Sequence, residues 1–166
     1  MRRKYFLCND SVNDWVLHQL LPGHMLWNHP QRATFEKTIN NLIANSIYSN
    51  DRAVSSVSFG FWTHLFSRRP FFLGGQSLLK IFPERSKGIG QRVIYKELQE
   101  IKAFRNRVAH QESICFDKNG NINTQGFRYV LSLIIKYLQY LGYSDKKLLY
   151  GYNVMTEPIL DRIDSL

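Results

Sequence analysis

Residues 91–110 read QRVIYKELQEIKAFRNRVAH. Apolar side chains return every three or four positions, at Ile94, Leu98, Ile101 and Val108. At about 100° per residue these four fall within about 80° of arc, the pattern of one helix pressed against a core. Arg105 lies near the middle of that arc, and His110 follows five positions later, where the pattern runs out. A guanidinium keeps its charge, and burying it unpaired is costly. Arg105 is therefore expected to be paired or to line a wet groove where two helices separate. His110 stands about 140° further round a regular helix, so it does not share a face with Arg105. The two converge only if the helix ends or distorts between them, or if a second copy of the helix supplies one. Asn106 and His110, an i, i+4 pair, do share a face.

The same period runs outward along the chain. Phe35, Ile39, Leu42, Ile43 and Ile47 form one stripe over residues 31–48, with Pro30 as a first-turn residue and Asn50-Asp51 as the stop. Ser55 or Ser56 is expected to cap a second helix carrying Phe59, Trp62, Leu65 and Phe66. Residues 67–75 (SRRPFFLGG) are expected to break it, a short helix to occupy 76–82 and a loop to follow over 84–90. Residues 91–110 supply the third long helix. Asn119-Gly120 marks a turn, Thr124 a cap, and Phe127, Leu131, Ile134, Leu138 and Leu141 the stripe of a fourth long helix stopped by Gly142. Short helices are expected over 12–21 and 157–166. No period-2 alternation demands a sheet. The expected architecture is a single all-α domain over residues 1–166, a bundle of four main helices plus short ones.

Lys and Arg number 22 against 13 Asp and Glu, a formal charge of +9. Such an excess favours polyanionic partners, nucleic acid first. The two cysteines, Cys8 and Cys115, form no CxxC motif and no disulfide framework, which points to a reducing compartment. Met1-Arg2-Arg3-Lys4 is followed only by Tyr5 to Cys8 before Asn9-Asp10, too short for a secretory signal, so a cytoplasmic location is expected. The apolar run over 130–135 contains Ser132 and is too short to cross a bilayer, so no membrane partner is expected. His18, His24 and His29 lack acidic or cysteine neighbours and do not make a metal site. Gly88-Ile89-Gly90 lacks the rest of any phosphate-binding motif.

With five histidines in the chain, an arginine four to six residues ahead of one of them is expected about once by chance. Three ordered blocks are more specific: SFGFWTHLF at 58–66, LKIFP at 79–83 and RNRVAHQE at 105–112. Together they resemble the Abi-like (abortive infection) branch of the HEPN superfamily over residues 56–116. Arg105 and His110 match that superfamily's R-x4-6-H motif, and Asn106 matches the polar residue often found after its arginine. The resemblance implies a HEPN-like helical bundle that dimerises, with two such motifs facing one basic cleft. It also implies a metal-independent endoribonuclease used in phage defence or in toxin–antitoxin pairs, with an antitoxin as a further partner. Some members carry a tyrosine two residues after the histidine as a target for modification; Glu112 stands there in this chain, so that mode of silencing is not expected.

The residue types suit that chemistry. RNA carries its own nucleophile, the 2′-OH. Cleavage then needs a group that moves protons near neutral pH, His110, and a fixed cation for the charged phosphorane, Arg105. No metal ligand and no cofactor is called for. Asn106 would orient His110 or the phosphate. The candidates for gripping the RNA backbone are Arg107, Lys102, Arg68 and Arg69. The alternatives are a non-catalytic HEPN-like module binding RNA, a nucleotide or a protein, and a structural dimer in which Arg105 is a salt-bridged interface residue. Trp62 and its aromatic neighbours have helical spacing and are expected in the core rather than against RNA bases.

Overall fold

A helical period without alternation yields an all-α chain. The computed structural model describes residues 15–24, 26–117, 119–143, 150 and 156–165. In order, these form α1 (Trp15–Gln19), α2 (Arg32–Ala44), α3 (Asn50–Ser55), α4 (Phe59–His64), α5 (Arg68–Leu73), a 3-10 turn (Ser77–Ile81), α6 (Gln91–Ala109), α7 (Gln125–Tyr140) and α8 (Glu157–Asp164). Among the described residues, extended pairing is limited to one antiparallel bridge, Phe116 with Ile122. The expected turn lies inside it: Gly120 has φ +82°, and the Asp117 carboxylate accepts the backbone N–H groups of Asn119 and Asn121 at 2.8 and 2.9 Å. The chain divides into two compact units, Met1–Leu78 and Leu79–Leu166.

In the first unit, Val16, Leu20, Leu26, Phe35, Ile39, Ala53, Phe61 and Leu65 form the core. α2 supplies Phe35 and Ile39 as expected, but it ends at Ala44 rather than near Tyr48. Its end is a Schellman turn: Ser46 takes φ +55°, its N–H reaches the Ile43 carbonyl and the Ile47 N–H reaches Leu42. Asn50-Asp51, read as a stop, instead opens α3, because Ser49 Oγ caps it by accepting the Arg52 N–H at 3.2 Å. Pro30 precedes the Gln31 cap rather than sitting in the first turn.

The expected second helix is short, α4, and a further short helix, α5, stands in the segment expected to break it. Ser58, not Ser55 or Ser56, caps α4; Phe61 and Thr63 are buried with Leu65 and Phe66 of the expected stripe, while Phe59 is 41% exposed. Pro70 does not break the chain into a loop. It falls in the first turn of α5, where its missing N–H is not needed. Gly75, at φ +66°, then ends α5.

The second unit rests on α6 against α7. α6 buries Ile94 and Leu98; α7 buries Val130, Leu133 and Tyr137. This is a correction: the stripe of Phe127, Leu131, Ile134, Leu138 and Leu141 is not the most buried face, which is centred about 90° away. Polar ties fix the register of the pair. Lys136 Nζ donates to Glu97 at 2.7 Å, the Tyr137 hydroxyl donates to Glu97 at 2.9 Å, and the Tyr129 hydroxyl donates to Glu100 at 2.6 Å. α8 is held by Arg128 of α7, whose guanidinium meets Glu157, Asp161 (2.7 Å) and Asp164 (3.2 Å). Thr124 flanks α7 at its N-terminus, but its hydroxyl does not cap; it donates to Asp164 at 2.6 Å.

Candidate functional site

The site begins where α6 leaves its core. Ile94 is fully buried and Leu98 is 8% exposed, whereas Ile101 is half-buried and Val108, on the same stripe, is 50% exposed. Arg105 is exposed as well. The apolar arc thus continues beyond the surface that covers it, and the arginine on it avoids the desolvation that its position in the pattern raised. Its recorded partner is Asn106, whose side-chain oxygen accepts from Arg105 Nη1 at 3.3 Å. No ion pair engages Arg105 among the described residues.

His110 is exposed and is the C-cap residue of α6. Its backbone is close to helical (φ −94°, ψ 10°), and its N–H donates to the Asn106 carbonyl at 2.9 Å. The helix therefore neither bends nor unwinds between Arg105 and His110, and the separation of about 140° persists to the end of the helix. Within one chain the two side chains point to different sides. Asn106 is bonded to both residues: its side chain to Arg105, its backbone carbonyl to His110.

The turn that follows is built. Gln111 takes φ +56°, the Gln111 N–H reaches the Val108 carbonyl at 3.1 Å, and the Glu112 N–H reaches Arg107 at 2.9 Å. This is a Schellman turn with glutamine where glycine is usual. Arg107 turns back over it, donating to the Ser113 carbonyl and pairing with Glu112 at 3.5 Å. Arg107, a candidate for gripping phosphates, has its guanidinium on the turn that follows His110. Glu112 is its partner.

Lys102 is half-buried on α6, about 60° from Arg105 around the helix. Arg68 and Arg69 are exposed on α5, in the first unit. Sequence reasoning did not single out the residue that accompanies them, Phe72, which is 54% exposed. A phenylalanine four positions after an arginine is a signal only once α5 is known to be a helix.

His29 is part of the fold's interior. His29 is 4% exposed; its Nδ1 accepts the Gln31 N–H at 3.0 Å and its Nε2 lies 3.1 Å from the Phe61 carbonyl. That pairing fixes a neutral ring with the proton on Nε2. Burial lowers its pKa, the Phe61 carbonyl opposes that, and nearby His64 adds to the lowering. His18 and His24 form an edge-to-face pair at 4.2 Å. Among the described residues there is no cluster of three or more His, Cys, Asp or Glu placed to hold a metal ion, and no helix long and apolar enough to cross a membrane. Cys115 is a half-buried free thiol; Cys8 lies outside the described residues. No known protein family, curated protein or solved structure matches the chain.

Proposed function

We propose that the chain is a metal-independent endoribonuclease of the phage-defence or toxin–antitoxin kind, acting in the cytoplasm as a homodimer. The observation that carries this reading is the open end of α6, where Arg105, Asn106 and His110 are bonded in sequence and the first and last are exposed on different sides. The resemblance to Abi-like HEPN proteins supplies the reaction, and the charge of +9 supports a polyanionic substrate.

In this reading a second copy brings its own α6 end opposite the first, so that Arg105 of one chain and His110 of the other face one phosphate. A neutral His110 takes the proton of the 2′-OH. The 2′ oxygen forms a bond to phosphorus as the bond to the 5′ oxygen breaks, and the His110 imidazolium so formed gives its proton to that leaving oxygen. Arg105 stabilises the charge on the phosphorane. The products are a 2′,3′-cyclic phosphate and a 5′-OH. DNA, lacking the 2′-OH, is inert.

The divergence of Arg105 and His110 within one helix favours a second reading for the isolated chain: an RNA-, nucleotide- or protein-binding module without cleavage. Cells expressing the wild-type chain or the His110→Ala variant separate the two. Growth arrest and new 5′-OH ends in wild type alone are expected. Equal growth with intact RNA in both, for chains that still bind RNA, leaves the binding module in place of the nuclease.

A further inference from the structure

α5 turns its proline and Phe71 inward and leaves the rest of its surface to solvent. Phe71 is 3% exposed, whereas Phe72 and Leu73 are 54% and 45% exposed, and Arg68 and Arg69 are exposed too. At about 100° per residue, the order around the outer face is Arg68, Phe72, Arg69, Leu73, so cations and apolar side chains alternate. Neither guanidinium is tied to another described residue by a hydrogen bond or ion pair. The Phe72 ring meets Phe71 edge-on at 5.9 Å, which anchors it beside the buried ring.

We propose that this face is a subsite for single-stranded RNA, in which Phe72 stacks on an unpaired base while Arg68 and Arg69 hold the phosphates on either side of it. The inference rests on the reading of the chain as an RNA-acting protein and adds a contact made by residues other than Arg105 and His110. Single strands are bound by aromatic platforms that stack bases of any sequence, beside cations that follow the backbone. A lipid surface fits less well. An interfacial helix separates an apolar face from a charged one so that each sits at its own depth, whereas here the two kinds of side chain interleave on a helix of six residues.

The test is fluorescence anisotropy with labelled oligouridine, in the His110→Ala background so that the probe stays intact. Phe72→Ala is expected to weaken binding about 5- to 150-fold, and Phe72→Trp to keep it. An Arg68→Gln/Arg69→Gln double variant is expected to flatten the dependence of log K on log salt by about 1.4. A blunt RNA duplex, whose bases are already stacked, should lose little affinity with Phe72→Ala. All four positions are exposed, and unchanged melting confirms that the variants fold. Unchanged oligouridine affinity in Phe72→Ala overturns the inference alone, as does an equal loss on duplex and single strand. Sedimentation with phosphatidylserine vesicles that depends on Phe72, with RNA affinity unaffected, overturns it in favour of a lipid surface. Failure of the His110→Ala chain itself to bind any RNA overturns both the inference and the reading beneath it.

Discussion

The two ends of α6 obey one pattern and meet different surroundings. At its start, Ile94 and Leu98 are enclosed, and Glu97 and Glu100 are tied to Lys136, Tyr137 and Tyr129 of α7. At its end, Val108 and Arg105 continue the same arc into solvent, and the polar contacts are local, within residues 105–113. A helix needs packing along only part of its length to be stable. What lies beyond is held in shape by the same backbone and remains free for other work. The contrast places the deepest burial in the first half, extends packing as far as Phe104 against Phe127, and leaves the last turn exposed.

Four measurements sharpen or break that division. The largest effect expected is on RNA cleavage by His110→Ala, a loss of about 100- to 10,000-fold, with a change in unfolding free energy within about 0.5 kcal/mol because the side chain is exposed. Comparable loss of stability would mean that the end of α6 is structural after all. Next, Ile94→Ala should cost about 2–5 kcal/mol of stability by denaturant unfolding, while Arg105→Ala stays within about 0.5 kcal/mol. Reversal of that order would sink the division outright.

The burial of His29 makes part of the fold's stability depend on pH. His29 is neutral in the fold and has a lowered pKa, so the unfolded chain binds the proton more readily. Its contribution is present above the unfolded value of about 6.5 and is lost as pH falls toward the folded value. Melting followed from neutral to mildly acidic pH should show the wild type losing stability, and His29→Gln should show a flatter profile. The smallest effect belongs to Arg107→Ala, about 0.2–1 kcal/mol for an exposed pair, read as faster amide exchange at Gln111 and Glu112.

α6 was legible because nothing interrupts its period and a glycine-containing loop precedes it. Gly142 and Glu157–Asp164 were legible for similar local reasons. The end of α2 was not, because its left-handed turn uses Ser46, a residue with no special preference for positive φ, and because Ser49-Asn50-Asp51 carries polar residues that suit a stop and a start equally. α5 was hidden by its proline, which is disruptive only past the first turn. On α7 the apolar arc is wider than the surface that buries it, so periodicity gave the helix without choosing among its faces. For the candidate site, the resemblance of three ordered blocks, rather than spacing alone, marked Arg105, Asn106 and His110. They did not reveal that Arg107 folds back on Glu112 and Ser113, since a C-terminal turn on Gln111 leaves no compositional trace.

The clamp on α8 has a consequence for where local structure is encoded. A peptide of eight residues forms little helix in water, because nucleation is unfavourable and too few bonds follow it. The helical state of Glu157–Asp164 is therefore written in part at Arg128 and Thr124, about thirty to forty positions earlier, where the cation and the hydroxyl that receive its carboxylates stand. A change at Arg128 edits the secondary structure of a segment whose own letters are untouched.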